Sequence, residues 1–272
     1  MKSAKLCVIA LLISALAIPG LAAQSQEPGA VKGMSLSGAT GLFSIPTART
    51  GWERASSFAI DLGYHTIISE GYLSHIPKLS MSLFRFLELS AALDFQPDGF
   101  INPDSTTDLI AGAKIQIPLD NISIALGGNY QRLNTFNDDH HHNAGQVYMA
   151  FTYMARIFNS PAETSVVFGK TFMGNNTDSS IDFGVGFNIV LLPGQFGSFL
   201  NWVTDFANFS YSAEPFGADS WFRGVINTGL RLDFSAIKAF NKLRFAVDIM
   251  LADAFDTNRA FSAGLVIGVP IF

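Results

Sequence analysis

The chain has one cysteine, few charges, and no second long apolar run after its first. That cysteine, Cys7, lies inside the N-terminal apolar stretch. The remainder can therefore form no disulfide or thiolate site and offers no cysteine to carry a lipid. Lys2 and Lys5 precede the run, Pro19-Gly20 breaks it, and Leu21-Ala22-Ala23 supplies small residues before Gln24. This pattern predicts a cleaved export signal over 1–23. The run is short of the ~20 residues a spanning helix requires. Beyond residue 23 no stretch of about 18 apolar residues occurs, which excludes helical spans. Positive charge is scarce too. The 17 basic and 22 acidic residues become 15 and 22 once Lys2 and Lys5 are removed, a net charge of −7. An acidic exported chain is a poor partner for nucleic acid.

What is present is apolar and glycine-rich. Hydrophobic residues make up 49% of the chain and charged residues 14%, against about 25% charged in soluble domains. The period is two. Phe58, Ile60, Leu62 and Tyr64 alternate with Ala59, Asp61, Gly63 and His65, and Leu87, Leu89, Ala91, Leu93 and Phe95 alternate with Glu88, Ser90, Ala92 and Asp94. Runs 109–117, 122–130, 147–157, 181–191, 222–232, 243–251 and 259–271 repeat the pattern, and 77–84, 163–172 and 197–206 are compatible with it. About twelve strands result, close to the ~9–11 residues each that a membrane strand needs. A soluble sandwich would carry Lys, Glu and Thr on its second face; here that face is Gly and Ala with isolated charges, as in a crowded lumen. Lipid cannot satisfy an open sheet edge, so the sequence predicts a closed antiparallel transmembrane β-barrel.

Connection lengths orient it. Counted from residue 57, the odd connections (69–76, 96–106, 132–144, 173–178, 207–220, 252–258) are longer than the even ones (near 85, 118–120, 158–162, 192–196, 234–241). Long outside loops and short periplasmic turns place both termini in the periplasm. The terminal strand should close against the first, with Phe272 at the inner rim. A terminal Phe is similar to the signal read by the outer-membrane assembly machinery, although the apolar positions Ile267, Val269 and Ile271 fall one residue out of step with it. A bulge near Pro270 would restore the phase.

Parity also predicts a lumen. Its basic cluster is Lys114, Arg156, Arg231 and Arg244, all toward the periplasmic mouth. Its acids are Asp61, Glu88, Asp94, Asp108, Asp182 and Asp248, with Asp94, Asp108, Asp182 and Asp248 toward the outer mouth and Glu88 and Asp233 at the basic end. A symmetric 234–241 turn would set Arg231 directly opposite Arg244, a repulsive pair needing Glu88 or an anionic ligand as counter-charge.

Residues 38–64, "GATGLFSIPTARTGWERASSFAIDLGY", resemble the N-terminus of YjbH-like outer-membrane barrels through Gly38-Ala39-Thr40-Gly41-Leu42 and Pro46-Thr47-Ala48-Arg49. That resemblance implies a barrel associated with exopolysaccharide production and secretion. Read on their own chemistry, Gly and Pro bracket a short extended piece that either plugs or rims the periplasmic mouth, or forms a disordered lead-in.

Other motifs carry less. The loop "NDDHHHN" at 137–143 has the residue types of a Zn²⁺ or Ni²⁺ site, but adjacent histidines in a loop rarely converge on one ion, so no metal or cofactor is expected. Ser/His catalysis needs both residues on neighbouring outward faces. His65 faces inward, and His75 is expected in a loop, so no enzyme is expected. Trp202, Tyr64, Tyr130, Tyr153 and Phe222 fall on lipid-facing parities, as interfacial anchors. The expected organisation is a signal peptide (1–23), a periplasmic lead-in or plug (24–56) and a barrel (57–272). Its partners are outer-membrane lipid, the assembly machinery, and a polysaccharide or small hydrophilic solute. Two functions stay open: a conduit for hydrophilic, including anionic, solutes that assists surface-glycan export, or a plugged barrel acting through its outer loops.

Overall fold

The structure is a computed structural model that describes residues 33–53, 56–70, 72–96, 106–119, 121–133, 142–173, 181–209, 224–255 and 259–271. Segment 1–23, loop 134–141, Phe222 and Phe272 lie outside the described residues. Twelve strands follow one another: β1 Phe58–Ser69, β2 Tyr72–Leu83, β3 Leu87–Gln96, β4 Thr106–Pro118, β5 Ile122–Leu133, β6 His142–Ile157, β7 Ser160–Met173, β8 Asp182–Val190, β9 Leu200–Ala207, β10 Val225–Asp233, β11 Arg244–Ala252 and β12 Ala260–Pro270. Each pairs antiparallel with its sequence neighbours, and β12 pairs with β1, closing the barrel. A one-turn helix α1, Pro193–Phe196, interrupts the β8–β9 connection.

Alternation explains why the wall stands where it does. Along β1, Asp61 and His65 are fully buried while Leu62 is 61% and Tyr64 41% exposed. Along β12, Ser262, Gly264, Val266 and Gly268 turn inward, and Phe261, Leu265, Ile267 and Val269 turn outward. The outer surface is a continuous skin of Leu, Ile, Val and aromatic side chains. Only a hydrocarbon environment accommodates a skin of that kind, because water would leave most of the chain's apolar area solvated. Trp202, Tyr64, Tyr130 and Tyr153 are all on it.

Three details differ from the sequence reading. First, β2 begins at Tyr72, so two residues separate it from β1 where the sequence reading has the connection 69–76; Ser69 pairs with Tyr72. His75 consequently stands on the outer face of β2, opposite Thr66 and hydrogen-bonded through Nδ1 to the Tyr64 hydroxyl. Second, the β1–β12 register runs unbroken from Ile68↔Phe261 to Ala59↔Pro270, so no bulge intervenes at Pro270. The proline costs no ladder bond because it ends its strand, and Ile271 N donates to Phe58 O at 2.8 Å. Third, β6 has 16 residues and β7 has 14, longer than the ~9–11 that a span needs.

Residues 33–53 lie inside this wall. Two isolated bridges, Met34↔Thr40 and Gly41↔Pro46, fold the segment on itself. Leu36, Leu42, Phe43, Ile45 and Ala48 then join inward-facing Ile67, Ile76, Ile110, Tyr148, Val167, Val203 and Met250 in one apolar cluster. The barrel's hydrophobic core is therefore in its lumen, made by wall residues together with five residues of the N-terminal segment. Gly184 and Gly186 on β8 leave the room that Ile45 and Leu42 occupy.

Candidate functional site: the charged lumen and the segment it holds

Six of the predicted lumen residues form three ion pairs in the half of the barrel nearer the 84–86, 119–121 and 158–159 turns. Arg231 Nε meets Asp248 Oδ1 at 2.6 Å, Arg244 Nη1 meets Asp61 Oδ2 at 2.7 Å, and Lys114 Nζ meets Glu88 Oε1 at 3.1 Å. All six side chains are buried. The expected opposition of Arg231 and Arg244 does not occur. The β10–β11 register places Arg231 opposite Asp248, while Arg244 lies opposite Gly268 of β12. The connection 234–243 is asymmetric because a 3₁₀ turn, Phe234–Ala236, follows β10 directly. The same register moves Asp248 out of the outer acidic group and into the basic end, where Arg231 needs it. Repulsion is replaced by a charge-assisted fork.

The Asp61–Arg244 pair and the His65–Asp248 contact cross β12 through glycine. Gly268 is the direct neighbour of both Asp61 and Arg244, and Gly264 of both His65 and Asp248. With no side chain at either position, Asp61 reaches Arg244 over the strand, and His65 Nε2 comes within 3.4 Å of Asp248.

The bases also hold the internal segment by its carbonyl groups. Arg244 donates to Gly33 O, Arg231 to Gly41 O and Leu42 O at 3.3 and 3.2 Å, and Lys114 to Thr40 O and Thr47 O at 2.9 and 3.1 Å. The acids hold its amides. Glu88 accepts from Thr40 N at 2.7 Å, Thr40 Oγ1 at 2.5 Å and Gly51 N at 3.0 Å. Asp61 accepts from Trp52 Nε1 at 2.8 Å. A folded segment without a sheet or helix has backbone groups to satisfy, and these wall charges satisfy them.

Two members of the site escaped the sequence reading. Lys78 donates to Met34 O and Ser35 O at 3.0 Å each and to His65 Nδ1 at 2.7 Å. Asp205 accepts from Phe43 N, Ser44 N and Ser44 Oγ at 2.8, 2.7 and 2.9 Å, and from Asn227 Nδ2 at 2.8 Å. Both sit in the weaker runs 77–84 and 197–206, whose alternation is blurred. Outward Leu79 and Met81 in one strand and outward Trp202 in the other would have turned them inward. A further cluster, Arg49 with Glu53 and Glu163, ties the end of the segment to β7.

The other predicted residues stand apart from this network. Asp94 and Asp108 are paired directly across β3 and β4 near the opposite rim, where Ser74 donates to Asp94. Asp182 accepts from Gln146 Nε2 at 2.8 Å and Thr171 Oγ1 at 2.6 Å. Arg156 lies near the end of β6, half-buried and opposite Pro161.

A closed twelve-stranded wall, apolar outside and filled with polar and apolar groups inside, defines a transmembrane β-barrel of the outer-membrane type. No family model matches the chain, and no curated protein matches it. Among solved structures it is similar to the KdgM porin (TM-score 0.49, 8% identity, 78% of this chain and 99% of that one). It is also similar to Omp33 of Acinetobacter baumannii (0.42, 8%, 79% and 98%) and to LpxR from Salmonella typhimurium (0.43, 9%, 78% and 100%). These likenesses are of architecture alone.

Proposed function

We propose that the protein is an outer-membrane conduit for hydrophilic solutes that rests closed, with segment 33–53 as its gate. The observation that carries this reading is the burial of that segment in the lumen with both its ends toward one rim. Gly33 lies against Arg231 and Arg244, and Glu53 lies beside Gln116 near the β4–β5 turn. A hairpin-like insertion of that kind can leave by the mouth it entered. While it is in place, every base of the site faces a carbonyl or a carboxylate. An anion-favouring constriction would arise only on withdrawal, when Lys78, Lys114, Arg231 and Arg244 lose their carbonyl partners. The role in surface-glycan export rests on the resemblance at 38–64, and most of that motif is the gate itself.

Planar-bilayer recording tests the reading. The full protein should show no steady open state, and a variant lacking residues 34–50, checked for heat-modifiable folding, should conduct. A folded but silent deletion variant would favour the second reading, a structural barrel acting through its outer loops. The apolar cluster that fills the lumen is what speaks for it. Free conduction by the intact protein would overturn both.

A further inference from the structure

Two connections on the short-turn rim are out of proportion to the rest. Turns 84–86, 119–121 and 158–159 are tight, whereas 191–199 and 234–243 are long and lie side by side, because β9 and β10 are neighbours. They are joined by aromatic contacts: Phe199 to Phe234 at 5.2 Å, Phe234 stacked on Phe245 at 4.7 Å, and Phe240 edge-on to Phe245 at 5.6 Å. Phe245 alternates with inward Arg244 and Ala246, so it belongs to the lipid-facing skin. The 234–243 connection is therefore folded outward against the wall, and not over the mouth. Its tip is exposed, with Ile237 at 41% and Phe240 at 36%, and Leu192 and Phe196 of the neighbouring connection are exposed as well. Neither connection contains an acidic residue, and Lys238 and Lys242 are exposed among the apolar side chains. This is a basic, greasy lobe on one arc of an otherwise acidic protein.

We infer that this lobe is a lipid-binding shelf. Its apolar residues enter the acyl boundary of the adjoining leaflet, and Lys238 and Lys242 take the phosphates of anionic phospholipid headgroups. Continuity with the lipid-facing Phe245 sets its depth, and the two lysines supply the complementary charge. The cysteine-free mature sequence permits a direct test. Spin labels at Ile237→Cys and Phe240→Cys, in nanodiscs of phosphatidylcholine with phosphatidylglycerol, should be more accessible to oxygen than to a nickel chelate. Native mass spectrometry of wild type released from such discs should show retained phosphatidylglycerol. In Lys238→Gln/Lys242→Gln that retention should fall about five-fold for each lysine removed. Labels open to the nickel chelate would show the lobe standing in water, as a surface for a protein partner, and would overturn the inference. Unchanged phosphatidylglycerol retention in the double variant would overturn its headgroup recognition.

Discussion

At the scale of single residues, the least conspicuous positions matter most. Gly264 and Gly268 carry no chemistry, yet each stands between a β1 residue and a β11 residue that meet across it. A Cβ at Gly268 would run into Asp61 Oδ1 and press on Arg244, and one at Gly264 would run into the His65 ring. Gly268→Ala should therefore displace the Asp61–Arg244 pair in a site too crowded to relax. The expected loss is about 1–3 kcal/mol, the usual range for overpacking. A lowered midpoint of heat-modifiability would report it. Gly194, whose surroundings are open, should accept alanine without effect.

At the scale of elements, β12 decides whether the barrel closes. Its lipid-facing residues Leu265, Ile267 and Val269 and its lumen-facing Val266 and Gly268 interleave without a bulge. Arginine on the lipid face near mid-bilayer costs about 2–4 kcal/mol. Ile267→Arg should thus lower the yield of folded barrel in outer-membrane fractions, and wild-type yields would show that its face is misassigned. The element hardest to read in advance was β2. Its Ser, His, Pro and Lys content blurs the alternation, so its first residues read as loop from the sequence. Pairing with β1 along its whole length made it a strand.

At the scale of the whole molecule, the two rims differ. The ends of β3, β5, β7, β9 and β11 and the starts of β4, β6, β8, β10 and β12 share one rim, together with the end of β1 and the start of β2. The other rim holds both ends of segment 33–53 and the basic lobe. If the first rim faces outward, cysteine at Asp139 should react with an impermeant maleimide on intact cells and cysteine at Ile237 should not. The reverse pattern would invert the orientation.

Sequence alone determined the class of fold and the direction of most side chains. A two-residue period whose second face is Gly and Ala with isolated charges, in place of the Lys, Glu and Thr of a soluble sheet, fits a lipid-facing wall around a crowded lumen. It thereby assigned Asp61, Glu88, Lys114, Arg231, Arg244 and Asp248 to the interior, because facing depends only on position along a strand. Which of them meet was left to tertiary structure. Register across a ten-residue connection is not written in parity, and a shift of four positions turned an expected Arg–Arg clash into an Arg231–Asp248 pair. The filling of the lumen was decided there as well. Segment 33–53 has no periodicity of its own; its shape comes from wall charges and apolar side chains that converge only once the barrel has closed.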